Sequence, residues 1–378
     1  MRPRLGIVAH APIQYHTPLF QLLAERNNIE LEVLFLSDRG FADMMDPDFG
    51  LMVAWDIDLL SGYEHRFLAT SRDPASNLTR FQVLVDWLPS HDVVIVNGYT
   101  SPWMLLTMAI CRARGIPYLL RGSSHPQGTS LGLRRWLRWV GTRLVVAGST
   151  GTLSMGHLND EFYRQTHARS VTFAPNSVDD ARFGSTPPIG RSELLAKWNL
   201  REDLPVILFS GKLIPRKRPF DIIEAVERLP HEVNLLFVGD GVLAERVQAS
   251  ITPSSGTVTG FVNQSDLPSY YHAADILALP SEKEAWGLVV NEAMAAGAMP
   301  VVSDRVGCGS DLADGIGEVY SCGDIGQLAA ALGRALDRIK EPDIRDRVRR
   351  HVAPYSLERT AVGYEKGVMK ATNNTKAR

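Results

Sequence analysis

Cysteine is scarce in this chain: three in 378 residues, too few and too scattered to organise a fold. Cys111, Cys308 and Cys322 form neither a CxxC pair nor a zinc framework, and an odd count leaves one thiol over. That usage fits a reducing compartment and argues against a disulfide-stapled secreted scaffold. A surplus of one charge is missing as well, since 40 Lys and Arg face 42 Asp and Glu, for a net charge of -2. A protein that lives on nucleic acid carries a basic surplus, so that class is set aside. Long apolar runs are absent too. Leu5 to Ala9 is too short for the core of a signal peptide, and His10 interrupts it. The longest uncharged stretch, Val93 to Cys111, holds Asn97, Gly98, Thr100, Ser101 and Pro102 in its first half. Lipid could not satisfy the backbone of such a turn, so the stretch reads as strand, loop and helix. The expectation is a cytoplasmic protein.

What remains is ordinary globular composition, 45% hydrophobic and 22% charged, which excludes wholesale disorder. The length suggests two or three domains. Short apolar runs alternate with helical spacing almost throughout. In the first half, Leu5 to His10, Glu30 to Leu36, Asp92 to Asn97, Tyr118 to Leu120 and Arg143 to Ala147 read as strands. In the second, Val206 to Ser210, Asn234 to Val238, Ile276 to Leu279 and Val301 to Ser303 do so, with helices between them. This alternation predicts βαβ units and parallel sheets buried on both faces. A Pro/Gly/Ser-rich stretch, Asn176 to Arg191, marks the hinge. Ser356 to Met369 reads as one more helix, and Asn373 to Arg378 as a frayed end. Two doubly wound domains would leave a ligand cleft at the carboxyl ends of their strands.

The strongest constellation lies in Leu277 to Gly297, LALPSEKEAWGLVVNEAMAAG. Glu284 falls in the loop before a helix, and Glu292 in that helix's second turn, from which its side chain leans back toward the same space. Unpaired N–H groups near Gly287, Leu288 and Val289 offer a dipole-assisted site for phosphate oxygens, and glycine at 287 admits a close ligand. Carboxylates beside a phosphate need another partner, and sugar or ribose hydroxyls are suitable donors. The competing reading is a surface helix with two solvated glutamates. In FSGKLIPRKRPF, Phe209 to Phe220, Lys212 follows Gly211 at a strand end and Lys217 comes five residues later. Cations there can neutralise a diphosphate leaving group, or they form a solvated basic turn.

Glu284-x7-Glu292, taken with SGKLIPRKRP, resembles the retaining glycosyltransferases of family four, which have the GT-B fold. PNSVD (Pro175 to Asp179), VGDG (Val238 to Gly241), TGFV (Thr259 to Val262) and PVVSD (Pro300 to Asp304) follow in the family's order. The likeness covers nearly all of the second half and is diffuse over the first. It implies an α/β, GT-B architecture of two Rossmann-like doubly wound domains facing across a cleft. Residues 1–173 would be the acceptor-binding domain, joined by a returning helix at 355–378, and 174–354 the nucleotide-sugar-binding domain. By the same resemblance Glu284 faces the donor sugar, Glu292 the ribose, Lys212 and Lys217 the diphosphate, and the backbone at Phe261 and Val262 the base. Lysine at 212 keeps the charge of the family's more frequent arginine but loses its bidentate fork. The family works without a bound metal or cofactor, on a nucleotide-diphosphate sugar, here expected to be UDP- or GDP-linked. Retention is explained by same-face attack assisted by the departing phosphate. A covalent path through Glu284 suits the helix geometry less well.

The first half departs from the family pattern. Where many relatives carry a Gly-Gly loop, this chain has HAPIQYHTPLF, so Gln14, Tyr15 and His16 are the candidates to reach donor or acceptor. His125, in LLRGSSHPQG, resembles the family's cleft histidine; as a residue it fits a turn-capping loop histidine equally. Arg121 either binds an acidic acceptor or pairs locally. Leu131 to Arg143, LGLRRWLRWVGTR, is either a helix docking peripherally on anionic lipid or a buried helix with snorkelling arginines. Trp55, Trp87 and Trp103 read as core or acceptor-pocket residues, Asp240 as a helix cap, and Cys308 as a thiol near the cleft. The expected partners are a donor and a hydroxyl-bearing acceptor, without nucleic acid. A nucleotide-sugar 2-epimerase and a non-catalytic binding subunit are the alternatives on the same scaffold.

Overall fold

The computed structural model describes residues 2–38, 44–46, 51–53, 55–124, 133–252 and 255–376, with backbone alone for 44–46, 51–53, 133–138 and 374–376. The strands in chain order are β1 Arg4–Ala9, β2 Glu30–Phe35, β3 Met44–Asp46, β4 Leu51–Val53, β5 Glu64–Phe67, β6 Val93–Asn97, β7 Tyr118–Arg121, β8 Gly151–Ser154 and β9 Val171–Phe173. They continue as β10 Val206–Ser210, β11 Asn234–Val238, β12 Gly256–Val258, β13 Ile276–Leu279, β14 Met299–Ser303 and β15 Glu318–Tyr320. The chain divides into two compact units. One comprises Met1–Met44, Asp58–Asn176 and Leu357–Arg378; the other comprises Met45–Ile57 and Ser177–Ser356. The first half is therefore not contiguous, because an excursion at Met45–Ile57 leaves it for the second unit.

The first unit holds a parallel sheet of order β5-β2-β1-β6-β7-β8-β9. Its first six strands follow the 3-2-1-4-5-6 order of a Rossmann fold. Alternate residues feed separate cores. Leu5, Ile7 and Ala9 pack with Phe20, Leu23 and Phe35, while Val8, Val94 and Val96 pack with Trp87, Met104, Met108 and Tyr163. The helix Leu357–Lys376 closes the first of these cores with Ala361, Tyr364, Val368 and Ala371. Glycine lets it sit low on the sheet: a Cβ at Gly363 would lie 2.5 Å from the Phe173 carbonyl oxygen, and one at Gly367 2.7 Å from Leu153. Arg26 fixes the helix laterally through a fork on Glu365, both bonds 2.8 Å, and a further contact to Glu358. The helix runs past Met369 to Lys376, further than the sequence suggests, so residues 373–376 are not frayed.

The second unit carries β12-β11-β10-β13-β14-β15, all parallel, again in Rossmann order. Every residue of β10, β11, β13 and β14 is buried, as sheets covered on both faces require. Two expectations fail locally. Arg143 to Ala147 is not a strand but the last part of a helix, Leu133–Gly148. Its β-branched pair misleads, since Leu144 is exposed while Val146 is buried, and the strand comes later at β8. The proposed hinge stretch belongs mostly to the second unit, where Asp180–Gly184 is helical and Phe183 packs edge-on against Tyr271.

Candidate functional site

At the carboxyl end of β10 the backbone turns at Gly211, whose φ of +140° favours glycine. The β10–β11 ladder continues beyond the strands: Gly211 N–H donates to the Val238 carbonyl at 2.9 Å, and Leu213 N–H to the Asp240 carbonyl at 2.8 Å. So close an approach requires VGDG as written, because a Cβ at Gly239 would stand 2.0 Å from the Gly211 carbonyl oxygen. Asp240 caps no helix; its carboxylate accepts from Gly241 N–H at 2.7 Å, and the next helix begins at Ala244.

The basic cluster resolves into different roles. Lys217 ends a single 3-10 turn, Pro215–Lys217, and its ammonium is ion-paired with the Glu284 carboxylate. Arg218 is spent on Asp221 at 2.7 Å, Arg216 is exposed, and Lys212 is half-buried just beyond Gly211. The loop bearing Glu284 is sewn to the segment after β14. Glu284 N–H donates to Arg305 O at 3.2 Å, Gly307 N–H to Glu284 O at 3.0 Å, and Cys308 N–H to Trp286 O at 3.0 Å. Gly287, φ +101°, then opens the helix Leu288–Ala295, and a Cβ there would lie 3.4 Å from Glu284 Cγ. Leu288 and Val289 are half-buried in its first turn, whose N–H groups have no carbonyl partner within the helix.

Glu292 is not a solvated surface residue: only 1% of it is exposed. The Tyr271 hydroxyl lies 2.5 Å from Glu292 Oε2 and 2.9 Å from the Ser210 hydroxyl, which tethers the carboxylate to the residue before Gly211. The fold thus brings Lys217 to Glu284, Gly287 to Glu284, and Glu292 to the end of β10. No motif of the sequence assigns Tyr271 or Ser210 a role; their one signal is a tyrosine inside an apolar helix, LPSYYHA. Val262 and Phe261 follow β12, anchored by Gly239 N–H donating to Gly260 O at 3.0 Å. Burial disfavours the thiolate form of Cys308: the residue is fully buried, which pushes its thiol well above the usual range.

In the first unit, Gln14, Tyr15 and His16 are half-buried between β1 and the helix Thr17–Arg26. Burial, reinforced by the positive charge of Arg121, lowers the His16 pKa from 6.5 to about 4. The imidazole is therefore neutral at physiological pH, and its buried Nδ1 has no hydrogen-bond partner. Arg121 is not available to an acidic acceptor. It is 5% exposed and donates to Ala174 O at 2.5 Å, Pro175 O at 3.2 Å and Asn176 Oδ1 at 3.0 Å, while its guanidinium lies over the Tyr364 ring. Asn97, its register partner on β6, and the buried Tyr364 hydroxyl are hydrogen-bond partners beside it, a polar group no motif announced. Trp87 is buried in the core and Trp103 packs against it, whereas Trp55 lies in the second unit. His125 lies outside the described residues, as does part of Leu131 to Arg143; of the latter, Trp139 is exposed with Arg143 over its ring. Among the described residues no helix is long and apolar enough to cross a membrane, and no group of three or more His, Cys, Asp or Glu is placed to hold a metal ion.

Two Rossmann-ordered sheets, with a lysine–glutamate pair at the strand ends of the second, define a doubly wound α/β protein. Residues 190–350, which include that site, match the family described as Glycosyl transferases group 1. A D-inositol 3-phosphate glycosyltransferase of Xylanimonas cellulosilytica is 32% identical over 186 residues, 45% of this chain and 44% of that protein. A GDP-mannose-dependent monoacylated alpha-(1-6)-phosphatidylinositol monomannoside mannosyltransferase of Corynebacterium glutamicum is 25% identical over 254 residues, covering 64% and 66%. The chain spans about half the length of several of the curated relatives it matches. The fold is that of HepE from Anabaena, solved with UDP and glucose: TM-score 0.72 at 16% identity, over 97% of this chain and 100% of that one.

Proposed function

We propose that this protein is a retaining, metal-independent glycosyltransferase that moves a sugar from a nucleotide-diphosphate sugar to an acceptor hydroxyl. The observation that carries the reading is the strand-end cluster: Lys217 on Glu284, and Glu292 held by Tyr271 beside Ser210 and Gly211, all inside the matched region. Lys212 and Lys217 neutralise the diphosphate, assisted by the N–H groups of Gly287, Leu288 and Val289. Glu292 accepts from the ribose hydroxyls, and Glu284 from the donor sugar. In the reaction the bond from the anomeric carbon to the phosphate oxygen breaks and a bond to the acceptor oxygen forms on the same face. The acceptor's proton passes to the departing phosphate. Positive side chains thereby supply the charge stabilisation a metal ion would provide. A relative bearing GDP-mannose in its name and a fold neighbour solved with UDP support a UDP- or GDP-linked donor.

A thermal-shift panel of uridine, guanosine, adenosine and thymidine diphosphates selects the base, followed by turnover of matching nucleotide sugars in EDTA. We expect one base to stabilise the protein, turnover to persist in chelator, and NMR of the product to show the donor's anomeric configuration kept. Glu292→Ala and Lys217→Ala should each lower turnover at least a hundredfold in folded protein, ~3 kcal/mol of lost stabilisation. Wild-type turnover in both variants, or an inverted product, defeats the reading.

A further inference from the structure

The excursion Met45–Ile57 ends beside the loop that follows β12. Trp55 is half-buried against Phe261, ring centroids 6.0 Å apart and tilted by 57°. Both carboxylate oxygens of Asp56 accept from Ser265 N–H at 3.2 Å, and the Ser265 hydroxyl donates to the same carboxylate. Asp56 N–H donates in return to Asn263 Oδ1 at 3.4 Å. This turn runs directly into the helix Leu267–Ala273, whose Tyr271 holds Glu292. One stretch of chain therefore links Phe261 to the carboxylate assigned to the ribose, and its first turn is pinned by residues from the other half of the sequence.

We propose that Trp55 and Asp56 complete the base end of the donor site, Trp55 as an aromatic surface for the nucleobase and Asp56 as a positioning residue for the Asn263–Ser265 turn. The inference rests on the nucleotide-sugar reading above. A purine or pyrimidine is planar and aromatic, and stacking on an indole needs only a face left uncovered; the half-buried Trp55 retains such surface beside a second ring. A purely structural tryptophan would sit in the core, as Trp87 does at 5% exposure. The carboxylate of Asp56 acts at one remove, fixing the turn on which Phe261 and Val262 are carried.

The test is isothermal calorimetry on the full chain with two probes, the nucleoside diphosphate chosen by the panel and inorganic pyrophosphate. Trp55→Ala should raise the nucleoside diphosphate Kd at least about fivefold and leave pyrophosphate unchanged, with Trp55→Phe restoring most of the loss. Asp56→Asn should act in the same direction on the nucleoside diphosphate alone, and it decides the matter if Trp55→Ala does not fold. Equal effects on both probes, or no effect on either, overturn the proposal. Failure of the wild type to bind any nucleoside diphosphate overturns instead the functional reading beneath it.

Discussion

Replacing Glu284 by glutamine should tighten the binding of a nucleoside diphosphate, although Glu284 belongs to the proposed site. Without ligand the Lys217 ammonium is already satisfied by the Glu284 carboxylate, with the two side chains 13% and 20% exposed. A diphosphate that claims Lys217 must displace or share that carboxylate and then sit beside a like charge. At ~5 Å and an effective dielectric constant near 20, that repulsion has a ceiling of about 3 kcal/mol. Partial exposure and salt reduce it to roughly 1 kcal/mol. Glutamine keeps the size and an acceptor oxygen but removes the charge. The Kd measured by calorimetry should fall about fivefold, the ceiling being roughly 150-fold. The gain should shrink between 50 and 250 mM salt, while sugar transfer by the same variant collapses. An unchanged or raised Kd in well-folded protein would refute the idea that Glu284 competes for Lys217.

Three further outcomes are expected. Tyr271→Phe leaves Glu292 buried without its hydroxyl partner and should cost about 1–3 kcal/mol of stability, read by urea denaturation, together with weaker nucleotide binding. Because the folded pKa of His16 is depressed to about 4, the unfolded chain binds the proton first as pH falls. Its contribution to stability should thus be whole above pH 6.5 and fade toward pH 4, and His16→Asn should flatten that part of a denaturation–pH curve. Glu365, held below its ordinary 4.5 chiefly by its hydrogen bonds to Arg26, contributes stability above that pH and loses it on acidification. Glu365→Gln should accordingly lower the Tm at pH 7 and match the wild type once the Glu365 carboxyl of the latter is protonated.

The alternation of strand and helix is legible because parallel strands buried on both faces leave short, dense apolar runs, as at Val206–Ser210 and Asn234–Val238. The three-residue strands β9, β12 and β15 leave no such signature, and the β-branched residues of the preceding helix mask β8. At the site, the spacing of Glu284 and Glu292 and the run around Lys217 pointed to a diphosphate and hydroxyls. Which lysine meets which carboxylate was not readable, since Lys217 and Glu284 lie far apart in the sequence and meet only through the adjacency of β10 and β13. Arg121 misled for a related reason. Its strand-end position suggests a ligand, yet the carbonyls that consume its donors belong to the segment after β9, which sequence alone does not bring near. Nor does any local pattern tell that Met45–Ile57 leaves the first unit, because its ties to Asn263 and Ser265 are made by residues ordinary in any loop.

The helix Leu357–Lys376 also sets the order in which the chain matures. One core of the first unit lacks Tyr364, Val368 and Ala371 until the ribosome has passed through the whole second unit. At synthesis rates of 5–20 residues per second, those roughly 180 intervening residues take about 9–36 s. During that interval Leu119 and Leu153, on which the helix lies, have no lid, whereas nearly all of the second unit can fold as it emerges. The half made first is thereby the half completed last, and it is the half for which chaperone protection matters most during synthesis.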